Sequence, residues 1–124
     1  MSDNAIHDAI AAAIAENDVI LFMKGSPASP ACGFSARTVA MLEALETPFA
    51  AVDILPDPRI RQELSALSGW PTIPQIFIRG ELVGGADIVE ELAASGELEQ
   101  KLEAALGDAY RDSRSERVDD VLAA

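Results

Sequence analysis

Cysteine is nearly absent from this 124-residue chain: Cys32 is the only one. No disulfide can close within the chain, and one thiolate cannot complete a metal site, since structural zinc and iron–sulfur centres take four ligands. Any chemistry at Cys32 therefore borrows atoms from a second molecule. Positive charge is scarce too, with nine Lys plus Arg against 21 Asp plus Glu and a net charge of -12. Nucleic acids and anionic membranes both require a positive binding face, so neither is an expected partner. No apolar stretch is long enough to span a bilayer. The start is acidic (Asp3, Asp8) and the apolar run 10–14 is broken by Glu16, without the charged opening and cleavage site of a signal peptide. The expected compartment is the cytoplasm, or an organelle matrix where a transit peptide has been removed. No internal repeat is present.

What the chain does have is apolar content, 49% hydrophobic residues with a mean hydropathy of +0.16, enough for the core of one domain. Ile6, Ala9, Ile10, Ala13 and Ile14 recur at helical spacing, and Asn17-Asp18 ends that helix before the buried strand Val19-Ile20-Leu21-Phe22-Met23. Two prolines within 25–30 predict an irregular loop that delivers the chain to Cys32. From Gly33 a second helix carries Val39, Leu42 and Leu45 inward and ends before Pro48, so Cys32 stands at a helix N-terminus. A strand over 49–55 follows. Asp57-Pro58 then opens a third helix, Asp as cap and Pro at the first helical position, with Ile60, Leu64 and Leu67 inward. Residues 75–78 and 81–83 flank the Arg79-Gly80 turn as a hairpin. Asp87 with Glu90 three residues on reads as a capping box opening a fourth helix, which stops near Gly96 before a fifth over 97–106. The order predicts an α/β fold, a four-stranded mixed sheet covered by helices, over 1–106. Residues 107–124 read as a polar tail, frayed or disordered, in which only Tyr110, Val118, Val121 and Leu122 are apolar enough to bury.

A lone cysteine is commonly just a small buried apolar residue. Here a Pro-rich polar loop precedes Cys32 and Gly33 follows it, which leaves the sulfur approachable. A helix N-terminus favours an anion by roughly 0.3 to 1 kcal/mol, less than the ~1.36 kcal/mol of one pKa unit, so a thiolate needs a nearby cation as well. Lys24, at the end of the first strand, is the expected one. Lys24 and Arg61 each read alone as solvated charges, but a single carboxylate ligand satisfies both. Pro74 opens a strand, a position that by itself leaves its peptide bond trans. Gly84-Gly85 reads as a tight strand-to-helix turn. The helix start that follows exposes free N–H groups, and Asp87 serves there as cap and as partner for an ammonium.

Taken together, Met23-Lys24-Gly25-Ser26-Pro27, Cys32-Gly33-Phe34-Ser35, Trp70-Pro71-Thr72-Ile73-Pro74-Gln75 and Gly84-Gly85-Ala86-Asp87-Ile88 closely resemble the monothiol glutaredoxins of the CGFS type, over about residues 5–106. The resemblance implies a thioredoxin-like fold and a cis bond before Pro74. It implies that Cys32 is the glutathione-facing thiol and the ligand of a [2Fe-2S] cluster. By the same resemblance Lys24 and Arg61 meet the glycine carboxylate of glutathione, and Thr72 and Ile73, just before Pro74, pair with its backbone. Ala86 N–H and the Asp87 carboxylate then hold the γ-glutamyl end. The chain departs from the pattern at Ser35, where dithiol members have a second cysteine, at Ala86, where many monothiol members have one, and mildly at Ser26, where threonine is common.

With no resolving thiol, a disulfide mechanism uses glutathione itself as the resolver. A [2Fe-2S] centre wants four thiolates and one chain offers one, so two Cys32 and two glutathiones in a homodimer supply them. Three functions share the fold. The first is an iron–sulfur carrier that hands clusters to apo client proteins, with a BolA-type partner implied by the resemblance alone. The second is a glutathione-dependent oxidoreductase that removes glutathione from protein thiols. The third is an interaction module with an inert thiol. The missing cysteines at 35 and 86 lean toward the first.

Overall fold

A computed structural model describes residues 3–111. Eleven elements follow one another: α1 (Asp3–Glu16), β1 (Val19–Met23), β2 (Gly25–Ser26), β3 (Ser29–Pro30), α2 (Gly33–Ala44), β4 (Ala50–Asp53), α3 (Pro58–Ser68), β5 (Gln75–Ile78), β6 (Glu81–Gly84), α4 (Ala86–Ser95) and α5 (Glu97–Leu106). The main sheet runs β4-β1-β5-β6, with β1 parallel to β4 and the other pairs antiparallel. The expected four-stranded mixed sheet flanked by helices is what forms.

Both faces of this sheet are covered, which is why β1 reads as an unbroken apolar run. Successive side chains of a strand point to opposite faces. Val19, Leu21 and Met23 therefore join Val39 and Leu42 of α2, Val89 of α4 and Leu98 and Leu102 of α5. Ile20 and Phe22 turn the other way, to Ile6 and Ile10 of α1 and Leu64 of α3. There Phe22 meets Phe77 of β5 edge to face, ring centres 5.8 Å apart.

Four local expectations change. Residues 25–30 form a two-stranded hairpin, because Pro27 occupies a turn position that needs no N–H and Ala31 N–H donates to Lys24 O at 2.8 Å to close the ladder. Gly25 sits at φ +86°, where a Cβ would stand 2.5 Å from Ser29 O. Strand β4 is shorter than 49–55; Ile54 leaves it for the second core and Leu55 is exposed. Leu67 lies on the outer side of α3, 38% exposed, since its neighbour Leu64 already takes the inward position. Helix α4 begins at Ala86 with Gly85 as a cap that offers no side-chain bond, so the Asp87–Glu90 capping box does not form.

The packed unit also runs past residue 106. Tyr110 is buried in the first core and its hydroxyl donates to Leu45 O at 2.6 Å. Its ring and one good acceptor outweigh the polarity of the neighbours that made 107–111 read as tail. Val118, Val121 and Leu122 lie outside the described residues.

Candidate functional site

The site is assembled at the end of β1, where Lys24 leaves the sheet. The β2–β3 hairpin returns the chain to Cys32, and Asp53 holds that hairpin down, its Oδ1 accepting from Gly25 N–H at 2.9 Å and Leu55 N–H at 3.0 Å. Cys32 is the N-cap of α2 in extended backbone geometry (φ -149°, ψ 156°), and its sulfur accepts from Ser35 N–H at 3.4 Å. Ser35 is fully buried. Its Oγ accepts from Lys24 N–H at 3.1 Å and lies 3.2 Å from Cys32 Sγ. In the thiol form S–H donates to that oxygen; in the thiolate form the hydroxyl turns to donate to sulfur.

These contacts set the direction in which the thiol's titration shifts. Burial pushes the Cys32 thiol up and is the largest single influence. The Ser35 hydroxyl, the Ser35 N–H, the Lys24 ammonium and the Phe34 N–H together outweigh it, and the thiol titrates below its ordinary value. Lys24 acts as expected, but Ser35 exceeds it. Read from sequence only as a missing cysteine, Ser35 is the main support of the thiolate. The signal was available in the Cys-x-x-Ser spacing, which sets a hydroxyl at the third helical position against its own cap.

Beside the thiol lies a cavity of about 350 Å³. All seven residues named from sequence for a glutathione site line it: Lys24 just after β1, Arg61 from α3, Thr72, Ile73 and Pro74 from the loop before β5, and Ala86 and Asp87 from α4. The Ile73–Pro74 bond is cis. Gln75, wholly buried, pins the preceding loop by donating its amide to Trp70 O at 3.0 Å and Thr72 O at 3.1 Å. Phe34, two residues after Cys32, and Trp70 are lining residues that sequence reasoning did not single out. Gly85 is needed for space and not for conformation: its φ of -97° suits any residue, but a Cβ would press on Trp70 Nε1 at 3.2 Å and Pro74 O at 3.4 Å.

Asp87 is exposed, and Arg37 of α2 meets it at 3.4 Å and Glu90 at 3.2 Å. No sequence signal links Arg37 to a carboxylate fifty residues away. Chemically, the site offers one thiol held toward its thiolate beside a cavity lined by two cations, a carboxylate and a helix start. Among the described residues no three His, Cys, Asp or Glu side chains are grouped to hold a metal ion. No helix among them is long and apolar enough to cross a membrane.

Known proteins resemble this chain in sequence and fold. Residues 19–83 match the glutaredoxin family. Glutaredoxin 4 of Escherichia coli strain K12 is 56% identical over 87 residues, 70% of this chain and 76% of that one. Probable monothiol glutaredoxin 2 of Rickettsia typhi is 52% identical over 90 residues, 73% of this chain and 81% of that one. The solution structure of reduced poplar apo GrxS14 superposes with a TM-score of 0.75 at 40% identity, covering 86% of this chain and 98% of that one. A buckwheat glutaredoxin–glutathione complex shares the fold at 22% identity, TM-score 0.74, over 83% and 92% of the two chains. The chain belongs to the glutaredoxin family, and with Cys32 as its single thiol it is a monothiol member.

Proposed function

We propose that the protein binds glutathione in the cavity beside Cys32 and, as a dimer, carries a [2Fe-2S] cluster from assembly to apo client proteins. One observation carries the reading: seven residues named from sequence for a glutathione site line a single cavity, next to a thiol held toward its thiolate. Lys24 and Arg61 supply cations for the glycine carboxylate, the backbone at Thr72 and Ile73 pairs with the tripeptide, and Ala86 N–H with Asp87 receives the γ-glutamyl end. A related fold from buckwheat takes glutathione, which supports the ligand class.

The thiolate count follows. Each chain contributes Cys32 and each bound glutathione its own sulfur, so two chains and two glutathiones make four ligands. A cluster half held by exchangeable small molecules is a cargo, released when glutathione leaves. Ser35 and Lys24 shift Cys32 toward the thiolate form that a ligand must have. Cytoplasm or organelle matrix is the proposed setting, and a BolA-type protein in place of one protomer is a further proposed assembly.

The lowered thiol favours a second reading, thiol exchange. Cys32 thiolate attacks the glutathione sulfur of a glutathionylated protein, the protein thiolate leaves, and a second glutathione thiolate then attacks the mixed disulfide. The products are oxidised glutathione and the regenerated Cys32 thiolate.

Anaerobic reconstitution with iron, sulfide and glutathione, followed by visible absorption and native mass, tests the first reading. The expected product is a coloured dimer with one [2Fe-2S] and two glutathiones, absent when glutathione is omitted. A colourless monomer under both conditions overturns it, and turnover of a glutathionylated substrate by that monomer establishes the second.

A further inference from the structure

The α4 end of the cavity holds a contact that the thiol chemistry does not use. Asp87 is the one carboxylate among the cavity's lining residues. Its Oδ1 lies 3.4 Å from Arg37 Nη2, and the same nitrogen lies 3.2 Å from Glu90 Oε2. Arg37 comes from α2, the helix that Cys32 caps, and its guanidinium sits 5.3 Å from the centre of the Phe34 ring. The cation is thus held between a ring at the thiol side and two carboxylates at the α4 side.

Asp87 and Glu90 are three residues apart on one helix, where like charges repel. Arg37 bridges them. Without it, this end of the cavity would be a plain cation site. With it, the anion Asp87 and the first-turn N–H groups of α4 at that end have a cation directly behind them, Arg37, which contacts the lining through Asp87 and the Phe34 ring rather than lining the cavity itself. That set complements a group with a carboxylate and an ammonium on one carbon. Either oxygen of Asp87 can accept, so the ammonium takes one while Arg37 keeps Glu90 as a partner, and no charge is stranded.

We propose that Arg37 is a specificity-determining residue that makes the α4 end of the cavity select an α-amino-acid zwitterion over a simple amine. The inference rests on the glutathione reading and deepens it, assigning recognition of the γ-glutamyl α-carboxylate to Arg37 together with the helix start. Nothing in the sequence around Arg37 marks it for this role. It follows from the packing of α2 against α4.

Calorimetric titration of the full chain with glutathione and with 4-aminobutanoyl-cysteinylglycine, which keeps the ammonium and lacks the α-carboxylate, tests it. The unaltered protein prefers glutathione, and added salt narrows the preference. Arg37→Met, which retains an apolar stem over Phe34, weakens glutathione about three- to fivefold, the scale of one exposed charge pair, and leaves the decarboxylated peptide unchanged or tighter. Arg37→Lys recovers part of the preference. Equal losses for both peptides, or an unaltered preference in Arg37→Met, would overturn the assignment while leaving the glutathione site standing. Failure of the unaltered protein to bind glutathione would overturn the proposed function and this inference with it.

Discussion

Cys32 and Ser35 form a pair in which the buried hydroxyl does work usually credited to a charge. Ser35 Oγ receives Lys24 N–H, which polarises it as a donor toward sulfur, and it is closer to the thiolate than any other donor resolved. The alkylation rate of Cys32 therefore reaches half its maximum at a lower pH than that of a free thiol. Ser35→Ala moves that midpoint up further than Lys24→Ala does, because the hydroxyl outweighs the ammonium. A midpoint unmoved by Ser35→Ala would remove the hydroxyl from the account. The substitution also strands Lys24 N–H, at about 1–2 kcal/mol of stability. Linkage has a definite sign. Between the lowered native pKa and the ordinary one, the unfolded chain binds more protons, so the thiolate's contribution grows with pH across that window. It is complete above the ordinary thiol value and gone below the native one. Comparing denaturant midpoints of the protein and Cys32→Ser from pH 6 to 10 reads this out, and the difference between them should widen as pH rises.

At the scale of elements, the hairpin β2–β3 decides where the thiol stands. Gly25 adopts a left-handed conformation that costs an L side chain roughly 1–2 kcal/mol, and a Cβ there would also meet the backbone of Ser29 and Ala31. Gly25→Ala is expected to lower stability by about 2 kcal/mol or more and to slow Cys32 alkylation, since the hairpin and the N-cap are one segment. Native-like stability with unchanged alkylation would contradict that coupling. The helices and main strands were legible in the sequence because each carries one hydrophobic period, 3.6 or 2, along a contiguous stretch. Residues 25–30 were not, because two-residue strands have no period and prolines argue against regularity in general. They do not argue against a turn at Pro27. The capping box failed for a related reason: Asp87 and Glu90 have the right spacing, but the cap of helix α4 is Gly85, two residues earlier, and Arg37 takes both carboxylates.

Across the whole molecule, a chain of net charge -12 concentrates Lys24 and Arg61 on one cavity. Removing either cation should cost glutathione roughly tenfold in affinity, the worth of a charge-assisted bond, and should shorten cluster retention in step. Unchanged affinity in both Lys24→Ala and Arg61→Ala would eliminate the carboxylate site. The C-terminal side of the described fold is tied back by Tyr110. Its hydroxyl bond to Leu45 O predicts a loss near 1 kcal/mol for Tyr110→Phe, and its ring burial about 3–5 kcal/mol for Tyr110→Ala, both measurable by denaturant unfolding.

The sequence by itself determined the order of helices and main strands and the single thiol at a helix start, and with the family resemblance it named seven of the residues that line the cavity. The element order and the thiol's place depend on residue type and local spacing, which contiguous segments carry in full, and the seven lining residues on motifs shared with a family. Only the tertiary structure decided that Ser35 outweighs Lys24 at the thiol, that Gly85 yields room for Trp70, that Tyr110 belongs to the core, and that Arg37 answers to Asp87 and Glu90. Each of these is a balance or a contact between elements distant in the chain. Packing sets such distances, and no pattern along the chain encodes them.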